Sequence, residues 1–296
     1  MLDAHNCYPY EGRWADRIER ALAQPLPLAI EQDLRWYEDP AGGEGRALVA
    51  HDPPLSGHEP TLEAYFFERI RPLMEKELAD PGPAWPVITL NLDFKTEEDA
   101  HLEAVWALLG KYEAWLTTAA KVPGESPLKL GPLLVLTGDS DKQARFFHDR
   151  LPDGARLRLF GAVHSARPQD PVEAASMTPE QWVSERGSSY RRWSNNPWMI
   201  VEEGGQNKAG DWTPEEAARL KALADYAHAR GLWLRLYTLN GHDPADQSGG
   251  WSKGYNFGSL EAAQLRWRAA VEAGVDFLAT DQYEDFQQVL DATRKP

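Results

Sequence analysis

Short runs rich in apolar and β-branched residues alternate with longer stretches of helical period along nearly the whole chain. This alternation restricts the fold more than any other feature. Strands are expected at Leu2–Asn6, Leu26–Leu34, Pro86–Phe94, Pro132–Thr137, Arg156–Val163, Trp198–Glu202, Leu232–Leu239 and Val275–Ala279, with a further extended run at Arg46–His51. Helices are expected at Arg13–Gln24, Thr61–Leu78, Glu97–Leu116, Lys142–Leu151, Thr213–Arg230, Leu260–Ala273 and Tyr283–Thr293. The Thr213–Arg230 segment carries its own punctuation, with Pro214, Glu215 and Glu216 in its first turn and Gly231 past its end. Strands that alternate with helices imply a parallel sheet. Eight of them in 296 residues favour an α/β fold, a (β/α)8 TIM barrel forming a single domain over residues 1–296, because such a barrel typically needs roughly 250 residues. No G-x-G-x-x-G turn opens a helix, which weakens a dinucleotide-binding reading.

The formal net charge of −15 sets the surface against polyphosphate backbones, so no nucleic-acid partner is expected. No apolar run approaches the roughly 18–20 residues needed to span a bilayer. A monomer with at most peripheral membrane contact is expected. The first strand is expected within the first few residues, with no signal peptide ahead of it. That fits a trimmed secretory precursor, hence a secreted or periplasmic protein, and fits a cytoplasmic start as well. The only cysteine, Cys7, allows no intramolecular disulfide and is read as a loop residue.

The chemistry concentrates near strand ends. In Ile30-Glu31-Gln32-Asp33-Leu34, a strand places Glu31 and Asp33 on the same face. Two carboxylates on an inner face are costly unless a cation compensates them. Leu90-Asn91-Leu92-Asp93-Phe94-Lys95 repeats the spacing with Asp93 and Lys95. Three carboxylates without cysteine or clustered imidazole make a hard oxygen site, suited to one divalent cation, Mg²⁺ or Ca²⁺. His5 ends the first strand, and His51 follows Leu48-Val49-Ala50 and precedes Asp52. Two imidazoles are a natural general base and general acid for phosphoryl transfer. His58 competes with His51 for that role, and His164 and His242 follow strands. His101, His148 and His228 fall in helical segments and are expected at the surface, and Asp281 is expected to be structural or an outer partner. Two long segments, Ser165–Pro197 and Gly241–Gly258, follow strands and belong on the C-terminal face, where barrel active sites sit. Asn6, Glu202, Tyr237, Trp251 and Tyr255 are the candidate substrate-binding residues.

Taken in order, His5-Asn6, Glu31-Gln32-Asp33, His51-Asp52 and Asp93-Phe94-Lys95 resemble the phospholipase-C-like phosphodiesterase superfamily. That group comprises glycerophosphodiester phosphodiesterases, phosphatidylinositol-specific phospholipases C and sphingomyelinase-D-type enzymes. Phe277-Leu278-Ala279-Thr280-Asp281 and Tyr237-Thr238-Leu239-Asn240 resemble the eighth and seventh strands of the glycerophosphodiesterases. The chain departs from them in reading His5-Asn6-Cys7 where H-R-G is usual, in lacking E-N-T, and in carrying D-x-K in place of E-x-K. The resemblance implies a phosphoric diester hydrolase acting on a small phosphodiester or phospholipid headgroup. It further implies a cation held by Glu31, Asp33 and Asp93, and His5, His51 and Lys95 as catalytic residues. Two other classes remain: a barrel glycoside hydrolase pairing Glu31 with Glu202, and a non-catalytic barrel that binds a phospholipid headgroup.

Overall fold

The computed structural model describes all residues except 11–13, 83, 167, 169, 244, 246–252 and 294–296. Its strands are β1 (Leu2–Ala4), β2 (Leu28–Tyr37), β3 (Arg46–Val49), β4 (Ile88–Phe94), β5 (Thr118–Ala120), β6 (Leu128–Lys129), β7 (Leu133–Thr137), β8 (Arg156–Leu157), β9 (Phe160–Ala162), β10 (Arg191–Pro197), β11 (Trp233–Tyr237) and β12 (Phe277–Thr280). Eight of them, β1, β2, β4, β7, β9, β10, β11 and β12, have the order of a closed parallel (β/α)8 barrel. The chain divides into two compact units. One comprises Asn6–Gly161 with Ser188–Tyr190; the other comprises Met1–His5, Ala162–Gly187 and Arg191–Pro296.

In the Asn6–Gly161 unit, β2 pairs in parallel with β4 from Leu28 opposite Ile88 to Leu34 opposite Phe94, and β4 pairs with β7 from Ile88 opposite Leu133. On one face of this sheet Ile30, Leu90 and Leu92 are fully buried, with Gln32 as a buried polar residue among them. The other face carries Glu31, Asp33, Asn91 and Asp93, so the register sets Asp33 directly beside Asp93. The run at Arg46–Val49 folds back as an antiparallel neighbour of β2, with Leu34 opposite Val49, which brings the following turn toward the end of β2. The helix Asp99–Lys111 buries His101, Leu102, Val105 and Leu109, the stripe expected of a 3.6-residue repeat. His101 is therefore not at the surface. It stacks on Trp36 with Phe94 tilted against it, and burial pushes its imidazole down to about 4. The expected strand Arg156–Val163 is two strands. Arg156–Leu157 joins a small antiparallel sheet with β5, and Phe160–Ala162 pairs with β7.

In the other unit, β1, β12, β11 and β10 are successive parallel neighbours. The helix Pro214–Ala229 starts on a capping box in which the Glu216 amide donates to Thr213 Oγ1 and the Thr213 amide donates to the Glu216 carboxylate. The helix Leu260–Ala273 ends at Gly274, whose φ of +89° is the left-handed cap that favours glycine. The strand expected at Trp198–Glu202 is corrected. The strand is Arg191–Pro197, and Trp198–Ile200 is a turn of 3₁₀ helix. The polar run hides the strand because its side chains pair inside the fold: Asn195 Oδ1 accepts from Arg235, and Asn196 Oδ1 accepts from the Trp182 indole.

Glu202 is buried after this turn. Arg266 binds it with Nη2–Oε1 at 2.6 Å and Nε–Oε2 at 3.1 Å, and the Trp198 indole donates to the same Oε2. Removing one partner strands an uncompensated buried charge. Arg266→Ala should therefore lower stability by about 3–5 kcal/mol. A urea unfolding midpoint equal to that of the parent chain would show that the pair is dispensable.

Candidate active site

Glu31 and Asp33 alternate along β2 and are both buried, while Asp93 on β4 is half exposed. One ligand oxygen from each lies within 4.8 Å of the others. Lys95 follows β4, its amide held by Leu34 O, and its Nζ sits 3.0 Å from Asp33 Oδ2 and 2.8 Å from Asp93 Oδ2. Tyr8, fully buried, donates its hydroxyl to Asp33 Oδ2 at 2.7 Å. The loop that carries Tyr8 is tied to β2: the Asn6 amide donates to Glu31 Oε2, the Cys7 amide to Glu31 O, and Gln32 Nε2 to Cys7 O. Asn6 takes a left-handed φ of +43° in making this turn.

Burial pushes the Asp33 carboxyl up to about 8, and repulsion from Asp93 adds to it, against the opposing pull of Lys95. Its Oδ1 is buried without a hydrogen-bond partner among the described residues. Three hard oxygen donors stand against one ammonium, and a buried acceptor lacks a donor. This set fits a divalent cation by charge and donor chemistry.

The antiparallel strand β3 delivers His51. The Ala50 amide donates to Asp33 O, and Arg35 Nε donates to His51 O at 2.6 Å. The His51 ring lies between two carboxylates, Nε2 at 3.8 Å from Asp33 Oδ2 and Nδ1 at 2.8 Å from Asp52 Oδ2. Tyr10 donates to the same Asp52 oxygen at 3.0 Å. His58 is exposed on the same loop, and its ring makes no hydrogen bond or ion pair among the described residues.

In the other unit, His5 Nδ1 lies 3.1 Å from Asp281 Oδ1. A carboxylate partner makes Nδ1 the protonated nitrogen, so Nε2 is the one that can accept a proton. Asn240 holds Asp281 from two sides, donating Nδ2–H to Oδ2 at 2.6 Å and accepting the Asp281 amide at 2.9 Å. The Tyr283 hydroxyl donates to His5 O. Tyr255 stands edge-on to His5 with ring centres 6.1 Å apart, and Tyr237 is edge-on to Tyr255 at 6.2 Å. Trp251 lies outside the described residues. Glu202, with both carboxylate oxygens engaged by Arg266, is suited neither to a substrate wall nor to half of a glycosidase pair.

Thus Glu31, Asp33, Asp93, Lys95 and His51 come together in one unit, and His5, Tyr237 and Tyr255 in the other. Sequence reasoning missed Tyr8, Asp52 as an orienting partner of His51, and Asn240. The spacing of Tyr8, three residues past His5 in a loop, carries no periodic signal.

No protein-family model matches the chain, and no curated protein does. Among solved structures, it is similar to a glycerophosphodiester phosphodiesterase from Parabacteroides distasonis at 12% identity and a TM-score of 0.51, covering 99% of this chain and 97% of that one. A second such enzyme from the same organism aligns at 16% identity and a TM-score of 0.46, covering 99% and 86%. One from Agrobacterium tumefaciens aligns at 14% and 0.47, covering 98% and 97%. The likeness is one of fold.

Asp33 links pH to stability with a defined sign. Its folded carboxyl holds a proton that the unfolded one gives up near the ordinary value of 3.8. The metal-free protein should therefore lose stability as pH rises from about 4 to about 8. Asp33→Asn should flatten that slope and raise the unfolding midpoint above pH 8, while removing divalent-ion binding. A parallel slope in parent and variant would refute the assignment.

Proposed function

We propose that this chain is a metal-dependent phosphodiesterase that cleaves a glycerophosphodiester or phospholipid-headgroup ester. One Mg²⁺ or Ca²⁺ is held by Glu31, Asp33 and Asp93, and His5 and His51 move protons. The observation that carries this reading is the three-carboxylate cluster with Lys95 bridging Asp33 and Asp93. The fold it shares with a phosphodiesterase of similar length supports it. When bound, the ion supplies Lewis acidity toward a phosphoryl oxygen.

The chain's own groups supply the rest. Lys95 is a fixed positive charge for the oxygen on which negative charge accumulates. His51 is steadied by Asp52, which is itself held by Tyr10. Such backing favours an imidazole that accepts a proton at one nitrogen while the other is paired. His5, oriented by Asp281, exchanges a proton through Nε2. One histidine deprotonates the attacking hydroxyl and the other protonates the leaving oxygen. Asn6, Tyr237 and Tyr255 contact the substrate. No helix among the described residues is long and apolar enough to cross a membrane. We propose a monomer with at most peripheral lipid contact.

The test is a panel of diesters: glycerophosphocholine, glycerophosphoethanolamine, phosphatidylinositol and sphingomyelin. Turnover of at least one is expected, abolished by a chelator and restored by Mg²⁺ or Ca²⁺. Binding without turnover would favour a headgroup-binding barrel. His51→Ala and His5→Ala should each lower kcat by about 10²–10⁴ through lost proton transfer. Undiminished turnover in either variant would remove that histidine from the chemistry.

A further inference from the structure

The buried carboxylate of Asp33 is used asymmetrically. Its Oδ2 receives the Tyr8 hydroxyl at 2.7 Å and Lys95 Nζ at 3.0 Å, and His51 Nε2 approaches the same atom to 3.8 Å. Its Oδ1 is buried and has no partner among the described residues. In the contact at Oδ2 the Tyr8 hydroxyl is the donor and Asp33 the acceptor. The ring cannot easily swing away. It is fully buried, and its backbone is pinned by the Tyr8 amide on Asn6 O and the Cys7 amide on Glu31 O.

We infer that Tyr8 is a positioning residue that makes Asp33 a one-oxygen ligand through Oδ1, and thereby biases the site toward Mg²⁺ over Ca²⁺. This rests on the metal reading proposed above. Mg²⁺ requires near-octahedral geometry and is bound through one or two carboxylates, whereas Ca²⁺ accepts six to eight oxygens and takes carboxylates through one or both oxygens. Two donors fixed on Oδ2 oppose chelation by both oxygens of Asp33. An ion that gains from such chelation loses more than one that does not. The Tyr8 hydroxyl acts on the ligand from outside the coordination sphere, as outer partners of metal ligands do.

The test titrates the metal-free full chain with Mg²⁺ alone and with Ca²⁺ alone by calorimetry, as parent and as Tyr8→Phe. The variant should bind Mg²⁺ about 10–100-fold more weakly and lose far less affinity for Ca²⁺, so the Mg²⁺/Ca²⁺ affinity ratio falls. Equal losses for both ions, or none, overturn the inference and leave the metal reading standing. A parent chain that binds neither ion overturns both. Should Tyr8→Phe fail to fold, a crystal of the parent soaked in Mn²⁺ decides the matter. Asp33 is expected to ligate through Oδ1 alone, with Tyr8 still on Oδ2. Ligation through both oxygens or through Oδ2 overturns the inference.

Discussion

The mutual repulsion of Glu31, Asp33 and Asp93 is the constraint around which the Asn6–Gly161 unit is arranged. Carboxylate oxygens within 4.8 Å of one another repel by about 3.5 kcal/mol or more per ionised pair at an effective dielectric of about 20. Burial of Glu31 and Asp33 adds a solvation cost. Parallel pairing of β2 with β4 fixes the acids at adjacent positions, so the strands cannot relieve the strain by turning a side chain outward without losing the buried face that carries Ile30, Leu90 and Leu92. Lys95 and Tyr8 offset part of the cost. A buried oxygen of Asp33 still lacks a donor.

The surrounding contacts serve to hold proton-transfer groups in one orientation. His51 is placed by backbone bonds from Ala50 and Arg35, and its ring by Asp52. His5 is placed by Asp281, which Asn240 grips at both its carboxylate and its amide. Each imidazole thus has an acidic partner at Nδ1. That fixes which nitrogen can work without requiring the acid itself to change protonation.

Much of the fold was legible because it rests on periodicity. The alternation at Glu31 and Asp33, the stripe of Thr213–Arg230 and the Gly274 stop are local signals that packing reinforced. The sixth barrel strand was not legible. Arg191-Arg192-Trp193-Ser194-Asn195-Asn196 has polar residues on both faces, and its alternation is obscured by side chains whose partners are distant in sequence, such as Arg235 and Trp182. The apolar Trp198-Met199-Ile200-Val201 run that mimicked a strand is a short 3₁₀ turn and its exit. His101 was misplaced at the surface because residue type outweighed position. It lies four residues before Val105, on the buried stripe. Of the site, the acids, Lys95 and the two histidines stood out by spacing. Tyr8 and Asn240 did not, since a hydroxyl on an acid or an amide bracing a carboxylate is set by tertiary geometry alone.

The left-handed turn at Asn6 limits what this position can become under selection. Most side chains in that backbone region cost on the order of 1–2 kcal/mol, and asparagine, aspartate and glycine are the residues that tolerate it. Because the same turn aims the Asn6 amide at Glu31, a replacement that relaxed the backbone would also withdraw a donor from an acid of the cluster. In this chain a replacement that keeps the turn at position 6 is therefore limited to aspartate or glycine, by the shape of the main chain as much as by any chemistry of the side chain.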